Sequence, residues 1–380
     1  MIEPLQFVDA LEKLNIRFVT GVPDSLLKNV CGCINSRLPS DRHIIATNEG
    51  SAVGLAIGHY LATGCPAFVY MQNSGLCNVI NPVTSLADPK VFGVPMVLMI
   101  GWRGEILEEG KQLRDEPQHV KQGEITVSQL EILDIPYRII DSSTKMIVQI
   151  LDELIQLAKL RSGPVAIVIR KNTFAPFKIE PLRQDASLPT REEAIRAVLE
   201  IIPEDSPVIS TTGMASREVF ELRKARQQGH HRDFLTVGGL GHASQIAAGI
   251  AMAQPQRCVI CIDGDGSVLM HTGALAISAD CDNLIHILIN NEAHDSVGGQ
   301  PTKGRELNFS EIARQLGYRN VNRVFKIYDL QLRLKEALTY RQSTLIEVKC
   351  KRGSRRDLGR PDRTPLQNKN DFMEFLRREK

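Results

Sequence analysis

"CIDGDGSVLMHTGALAISADCDNLIHILINNE" (Cys261–Glu292) holds two apolar runs, each cut off by small or polar residues. The first run stops at Asp263-Gly264-Asp265-Gly266-Ser267 and the second at Asn290-Asn291. Short apolar runs of this kind fit strands buried on both faces, and the stretch between them is long enough for a helix. Glycines on both sides of Asp265 allow the backbone close to a ligand, and free N–H groups at the start of the next helix suit a phosphate. The Asp265 carboxylate is a hard oxygen donor for Mg²⁺ or Ca²⁺. Asn291 lies 26 residues further on, room for one helix and one strand, so the asparagine pair is expected beside the Asp loop. Its amide oxygen then adds to the same ion, and magnesium fills its other positions from phosphates and water.

The same alternation extends in both directions. Candidate strands in the first half are Arg17–Gly21, Ala67–Met71, Met96–Ile100, Tyr137–Ile140 and Val165–Arg170. In the second half they are Val208–Ser210, Phe234–Val237, Cys258–Ile262, Ile285–Ile289 and Thr344–Val348. Strands alternating with helical patterns predict an α/β protein with parallel sheets covered by helices. Between the halves, FAPFKIEPLRQDASLPTREEAI (Phe174–Ile195) is proline-rich and aperiodic, and Thr190 with Glu193 makes a capping box for the helix that follows. Two domains are therefore expected, at residues 1–180 and 190–380. Open α/β sheets bind ligands at the carboxyl ends of their strands. The stretches there are GVPDS, QNSG, GWRG, GGLGH, GDGS and NNEAHDS, nearly all turn-forming and polar.

With 380 residues, 43% hydrophobic and 24% charged, the chain has the composition of a soluble globular protein. A net charge of +2 gives no reason to expect nucleic acid or an anionic membrane as a partner. No apolar stretch approaches the roughly 20 residues of a membrane span. The N-terminal MIEPLQFVDALEKL is acidic and amphipathic, unlike a signal peptide. The eight cysteines are scattered, and Cys31-Gly-Cys33 is too close for half of a CxxC zinc site. They are expected as reduced thiols in a cytoplasmic protein.

Neither a full GxGxxG fingerprint nor a GxxxxGK[ST] loop is present. GDG followed by NN at this spacing instead resembles the diphosphate-binding motif of thiamine diphosphate enzymes. That resemblance implies that Asp265, Asn291 and the carbonyl of Ala293 hold Mg²⁺, with Gly264, Gly266 and Ser267 at the diphosphate. It also implies a glutamate that hydrogen-bonds the aminopyrimidine ring, matched here by Glu49 in IIATNEGSAVGLAIGHYLATG. In VGGLGHASQIAAGIA, Gly238 is expected to give a carbonyl to the cofactor's amino group and Leu240 to prop the cofactor in its bent form. The implied fold is two thiamine diphosphate-binding domains, each a mostly parallel sheet flanked by helices. In the family the two ends of the cofactor are held by different subunits, which implies a homodimer or larger with active sites at the interface.

Many such enzymes carry a third, central domain, whereas this chain has only a linker there. It therefore resembles the short 2-oxo acid decarboxylases acting on phosphonopyruvate or sulfopyruvate. MQNSGLCNVINPVTSLADP, MIGWRGE, RDEPQHVKQG, NNEAHDSVGGQPT and GSRRDLGRP favour the phosphonopyruvate group. The resemblance implies conversion of 3-phosphonopyruvate to phosphonoacetaldehyde and CO₂ in phosphonate biosynthesis, with a sulfopyruvate decarboxylase or a carboligase as alternatives. Arg103, His119 and Lys121 lie in expected loops and are candidates to receive the anionic group, with Ser25. Asp24, His119 and His294 are candidates for moving protons. Arg355 and Arg360 are expected in C-terminal packing or an interface. Cys77 stands where the family has a small glycine, a departure that bears on the local backbone geometry and not on cofactor binding.

Overall fold

The computed structural model describes residues 1–179 and 184–378. The chain separates into two compact units, Met1–Pro181 and Leu182–Lys380. The middle of the proline-rich segment, residues 180–183, lies outside the described residues. Its first part is not free chain, because Ala175 donates to the Ile2 carbonyl and Phe174 is buried in the first unit's core.

In the first unit the strands are β1 (Val19–Gly21), β2 (His43–Ile45), β3 (Ala67–Gln72), β4 (Met96–Gly101), β5 (Tyr137–Ile140) and β6 (Pro164–Ile169). They form one six-stranded sheet in the order β2-β1-β3-β4-β6-β5, with every pairing parallel. Side chains alternate across a strand. In β4, Val97 and Met99 enter one apolar cluster while Met96, Leu98 and Ile100 enter the other. With both faces covered, the strand must be apolar throughout, which is why its run is continuous.

The second unit holds β7 (Val208–Ser210), β8 (Asp233–Leu235), β9 (Val259–Gly264), β10 (Leu284–Asn290), β11 (Asn320–Val324) and β12 (Thr344–Lys349). Their order, β11-β12-β10-β9-β7-β8, is that of the first sheet read from its other edge, and again all pairs are parallel. Each sheet has a switch point where the chain leaves in opposite directions, between β1 and β3 and between β7 and β9. Such points leave a crevice at the strand ends where ligands are bound.

Two strands carried no readable signal. β2 is a short edge strand in which only His43 is buried, and β11 (NVNRV) is a half-buried edge strand whose polar side chains hide the pattern. The helix Arg191–Ile201 opens with the expected capping box, Thr190 accepting from the Glu193 N–H and Glu193 accepting from the Thr190 N–H. No helix among the described residues is long and apolar enough to cross a membrane.

Candidate active site

In the second unit the ends of β7, β9 and β10 close on one pocket. Gly264, Asp265, Gly266, Ser267, Asn291, Ala293 and His294 all line it, and Leu240 joins them from the loop after β8. Gly238 is not among its lining residues. Asp265 is 2% exposed, and burial pushes its carboxyl up to about 7. The Thr302 hydroxyl donates to Asp265 Oδ2. Lys349, the nearby cation, is drawn 2.6 Å from Glu292 instead. A buried carboxylate without a cation is unfavourable, and a bound divalent ion relieves that cost. Gly304 keeps the space open, since a Cβ there would lie 2.6 Å from Asp265 Oδ2 and 2.8 Å from Asn290 Oδ1.

The asparagine pair divides its work. Asn290 is fully buried and structural: its amide nitrogen donates to the Gly304 carbonyl and to Glu347 Oε1. Asn291 faces the pocket, with Nδ2 donating to Asp295 Oδ2 at 2.6 Å and Oδ1 accepting from the Ala293 N–H at 3.3 Å. Ser267 Oγ accepts from the Thr211 hydroxyl and the Gly241 N–H, both at 3.1 Å, so its own proton is left to give to a pocket ligand. Burial pushes the His294 imidazole down to about 4, keeping it neutral at pH 7. On the buried strand face behind the loop, Cys261, Asp263 and His286 hold their ligand atoms within 4.8 Å of one another. Tyr318 bonds His286 Nδ1 at 3.1 Å, and Asp263 Oδ1 accepts from the Gly264 N–H.

The first unit presents a second polar group at the ends of β1, β3 and β4. Glu49 opens the helix Glu49–Thr63 after Asn48, which caps it through the Ser51 N–H. The Glu49 side chain is 5% exposed and accepts from Asn78 Nδ2 at 2.8 Å. It packs directly on Gly75, where a Cβ would lie 2.5 Å from Oε1. Asp24 is fully buried, and desolvation raises its carboxyl despite Gln72 Nε2 donating to it at 2.7 Å. Arg103 reaches Ser25 Oγ at 2.8 Å and grips Asp115 with two bonds, at 2.7 and 2.5 Å. His119 stands beside this pair, pushed down to about 4 first by burial and then by Arg103, and its buried Nδ1 has no hydrogen-bond partner among the described residues.

Sequence profiles of thiamine pyrophosphate enzymes match both units, the N-terminal TPP binding domain at residues 5–132 and the C-terminal one at 211–348. The phosphonopyruvate decarboxylase of Streptomyces viridochromogenes is 33% identical over 99% of this chain and 95% of its own. The chain belongs to the phosphonopyruvate decarboxylase family of thiamine pyrophosphate enzymes. The enzyme of that name from Streptomyces hygroscopicus is 32% identical over 99% of this chain and 94% of its own. A sulfopyruvate decarboxylase of Methanosarcina acetivorans is 27% identical over 83% of each chain. A solved structure, the thiamine diphosphate-dependent 4-hydroxybenzoylformate decarboxylase of Rhodococcus jostii, aligns with 93% of this chain and all of its own at 14% identity and a TM-score of 0.38.

For a phosphonopyruvate decarboxylase-family enzyme, a carbon–carbon lyase, the donor set in the second unit fits a divalent ion and a diphosphate. It offers one buried carboxylate, one amide oxygen and a free hydroxyl proton. The structure departs from the expectations for the first unit in two ways. Lys121 and His119 are not in a loop: Pro117 starts the helix Pro117–Ile132, since proline is favoured at a first helical position. Lys121 then points outward, its side chain 77% exposed and paired with Glu124 three residues on, so it is not brought to the Arg103 group. Cys77 sits exposed in the short helix Leu76–Pro82 without positive φ, a backbone that a side chain adopts without strain. Arg355 packs within its own unit, bonding Glu192, Glu221 and Asp357.

Sequence reasoning passed over Asn78, Gln72 and Asp115 in the first unit and Thr211, Thr302, Gly304 and Asp295 in the second. Thr302 and Asp295 lie within NNEAHDSVGGQPT, so that stretch held the signal. For Asp115 the signal was its acidic side chain in RDEPQHVKQG, beside the residues that were chosen.

Proposed function

We propose that this enzyme decarboxylates 3-phosphonopyruvate to phosphonoacetaldehyde and CO₂, using thiamine diphosphate held by Mg²⁺, as a cytoplasmic step of phosphonate biosynthesis. The observation that carries this reading is similarity to phosphonopyruvate decarboxylases along nearly the whole chain, through both units. Asp265, Asn291 and the Ala293 carbonyl would hold the ion, Gly264, Gly266 and Ser267 the diphosphate, and Leu240 and the Gly238 carbonyl the rest of the cofactor. When bound, thiamine diphosphate supplies a nucleophilic carbon and a sink for the electrons released with CO₂. Glu49, whose carboxylate accepts from Asn78, would hold or share a proton with the aminopyrimidine ring.

Arg103 and Ser25 are the candidate anchors for the substrate's anionic end. The guanidinium is oriented by Asp115 and presents Nη1 next to Ser25. His119 and His294, both kept neutral at pH 7, are candidates to accept a proton or to donate a hydrogen bond from the ring N–H. Asp24, protonated more readily than an exposed carboxyl, is a third proton-handling candidate.

A sulfopyruvate relative also spans both units, so one chain carrying two units does not separate the substrates. Purified enzyme with Mg²⁺, thiamine diphosphate and each 2-oxo acid in turn decides between them. Release of CO₂ and phosphonoacetaldehyde is expected from phosphonopyruvate. No aldehyde from that substrate overturns the proposal, and faster turnover of sulfopyruvate transfers the assignment. The proposed assembly is a homodimer or larger in which Glu49 of one copy and Asp265 of another complete a site. Mixed Glu49→Gln and Asp265→Ala enzymes should then regain activity that neither has alone.

A further inference from the structure

An asparagine can present either end of its amide to a cation, because the oxygen and nitrogen are alike in size and only the oxygen is a ligand. Something must therefore hold Asn291 the right way round. In the structure its Nδ2 donates to Asp295 Oδ2 at 2.6 Å. That oxygen also accepts from Arg191 Nη1 at 3.0 Å and from the Gly353 N–H at 2.8 Å. Arg191 is itself buried and fixed, since the rest of its guanidinium bonds Glu218 at 2.7 and 2.9 Å. Asp295 is thus anchored from the start of one helix, through Glu218 from a second, and from the segment after β12.

A flipped Asn291 amide would set its oxygen against the Asp295 carboxylate and its N–H toward the ion. Both contacts are repulsive, so the flipped form is suppressed. Holding the amide this way also leaves Asn291 Oδ1 on the Ala293 N–H, a turn that brings residues 291 and 293 to the same pocket. We propose that Asp295 is a positioning residue for the metal site: by gripping Asn291 Nδ2 it commits the amide oxygen to Mg²⁺. The inference rests on the reading of Asn291 as a metal ligand.

The test titrates Mg²⁺ into the full-length enzyme with thiamine diphosphate by calorimetry, alongside thermal unfolding. Asp295→Ala should weaken Mg²⁺ binding about 10–100-fold, as loss of an outer partner of a ligand does. The fold should survive, because Arg191 keeps Glu218. In an Asn291→Ala background the same change should cost nothing further, whereas an indirect structural effect would cost the same in both.

Asp295→Asn keeps the test open if the alanine variant misfolds. Its amide oxygen can stand where Oδ2 stands and still accept from Arg191, Gly353 and Asn291 Nδ2. Asp295→Asn should therefore keep Mg²⁺ binding, with less than the roughly tenfold loss that marks a missing outer partner. Equal losses in both backgrounds, unchanged affinity in Asp295→Ala, or a loss in Asp295→Asn as large as that expected of Asp295→Ala would overturn the role of Asp295 alone. Unchanged affinity in Asn291→Ala would overturn the site reading itself.

Discussion

Gly75→Ala isolates the placement of Glu49 from every other property of the site. Gly75 has φ −70° and ψ −17°, a helical conformation that alanine adopts without strain. Any effect therefore comes from the added methyl. That Cβ would lie 2.5 Å from Glu49 Oε1, 2.6 Å from Cγ and 2.7 Å from Cδ, where ordinary contact begins at 3.4 Å. The carboxyl must retreat by roughly 1 Å, or the backbone must, at an overpacking cost of about 1–3 kcal/mol. A retreat also draws Oε2 from Asn78, now 2.8 Å away. Misplacing a catalytic group by about 1 Å costs on the order of 100-fold in rate. Steady-state kinetics at saturating cofactor and Mg²⁺, with calorimetric binding of both, should show kcat down by about that factor and Mg²⁺ binding unchanged, since the ligands proposed for it belong to the other unit. A folded Gly75→Ala enzyme that keeps kcat within about threefold would refute the role given to the Glu49 carboxylate.

Gly304→Ala should act on the ion instead: its methyl meets Asp265 Oδ2 at 2.6 Å, so Mg²⁺ affinity should fall with Glu49 undisturbed, as titration of Mg²⁺ would show. Asp265→Asn should abolish Mg²⁺-dependent cofactor binding and change the pH profile of the metal-free protein. Burial holds that carboxyl near 7, above its unfolded value of about 4, so its contribution to folding is present below about pH 4 and lost as pH rises through 7. Chemical unfolding without Mg²⁺ at pH 8 should find the Asn variant more stable than the parent. His43 should act in the opposite sense. Buried and bonded to Tyr70 at 2.9 Å, its imidazole is pushed down to about 4 from about 6.5 unfolded, so its stabilisation is present above pH 6.5 and lost as pH falls through 4. His43→Gln should remove up to about 3 kcal/mol of that acid sensitivity in denaturant titrations at pH 4 and pH 7.

Much of the chemistry was readable in order along the chain. Strands buried on both faces must be apolar throughout, so β3, β4, β9 and β10 announced themselves, and the residues ending them had to be the ones facing a ligand. Asp265 and Asn291 followed from donor type and spacing. β2 and β11 were silent, because both lie at sheet edges, where half-exposed positions tolerate polar residues and no continuous apolar run is needed. Lys121 looked equivalent to Arg103 as a charge in sequence, but a helical turn after Pro117 carried it to the surface.

The sequence by itself determined the alternating strand–helix plan and which residue types stand at the strand ends, because burial and turn geometry act on each short segment. Only the tertiary structure decided which of those residues act on one another. It separated Asn290, spent on Gly304 and Glu347, from Asn291, held by Asp295. It also put Gly75 under Glu49 and Gly304 against Asp265. Apart from Asn291 and Asp295, four residues apart, those relations join segments distant in the chain, and no local pattern encodes a distance between separate strands.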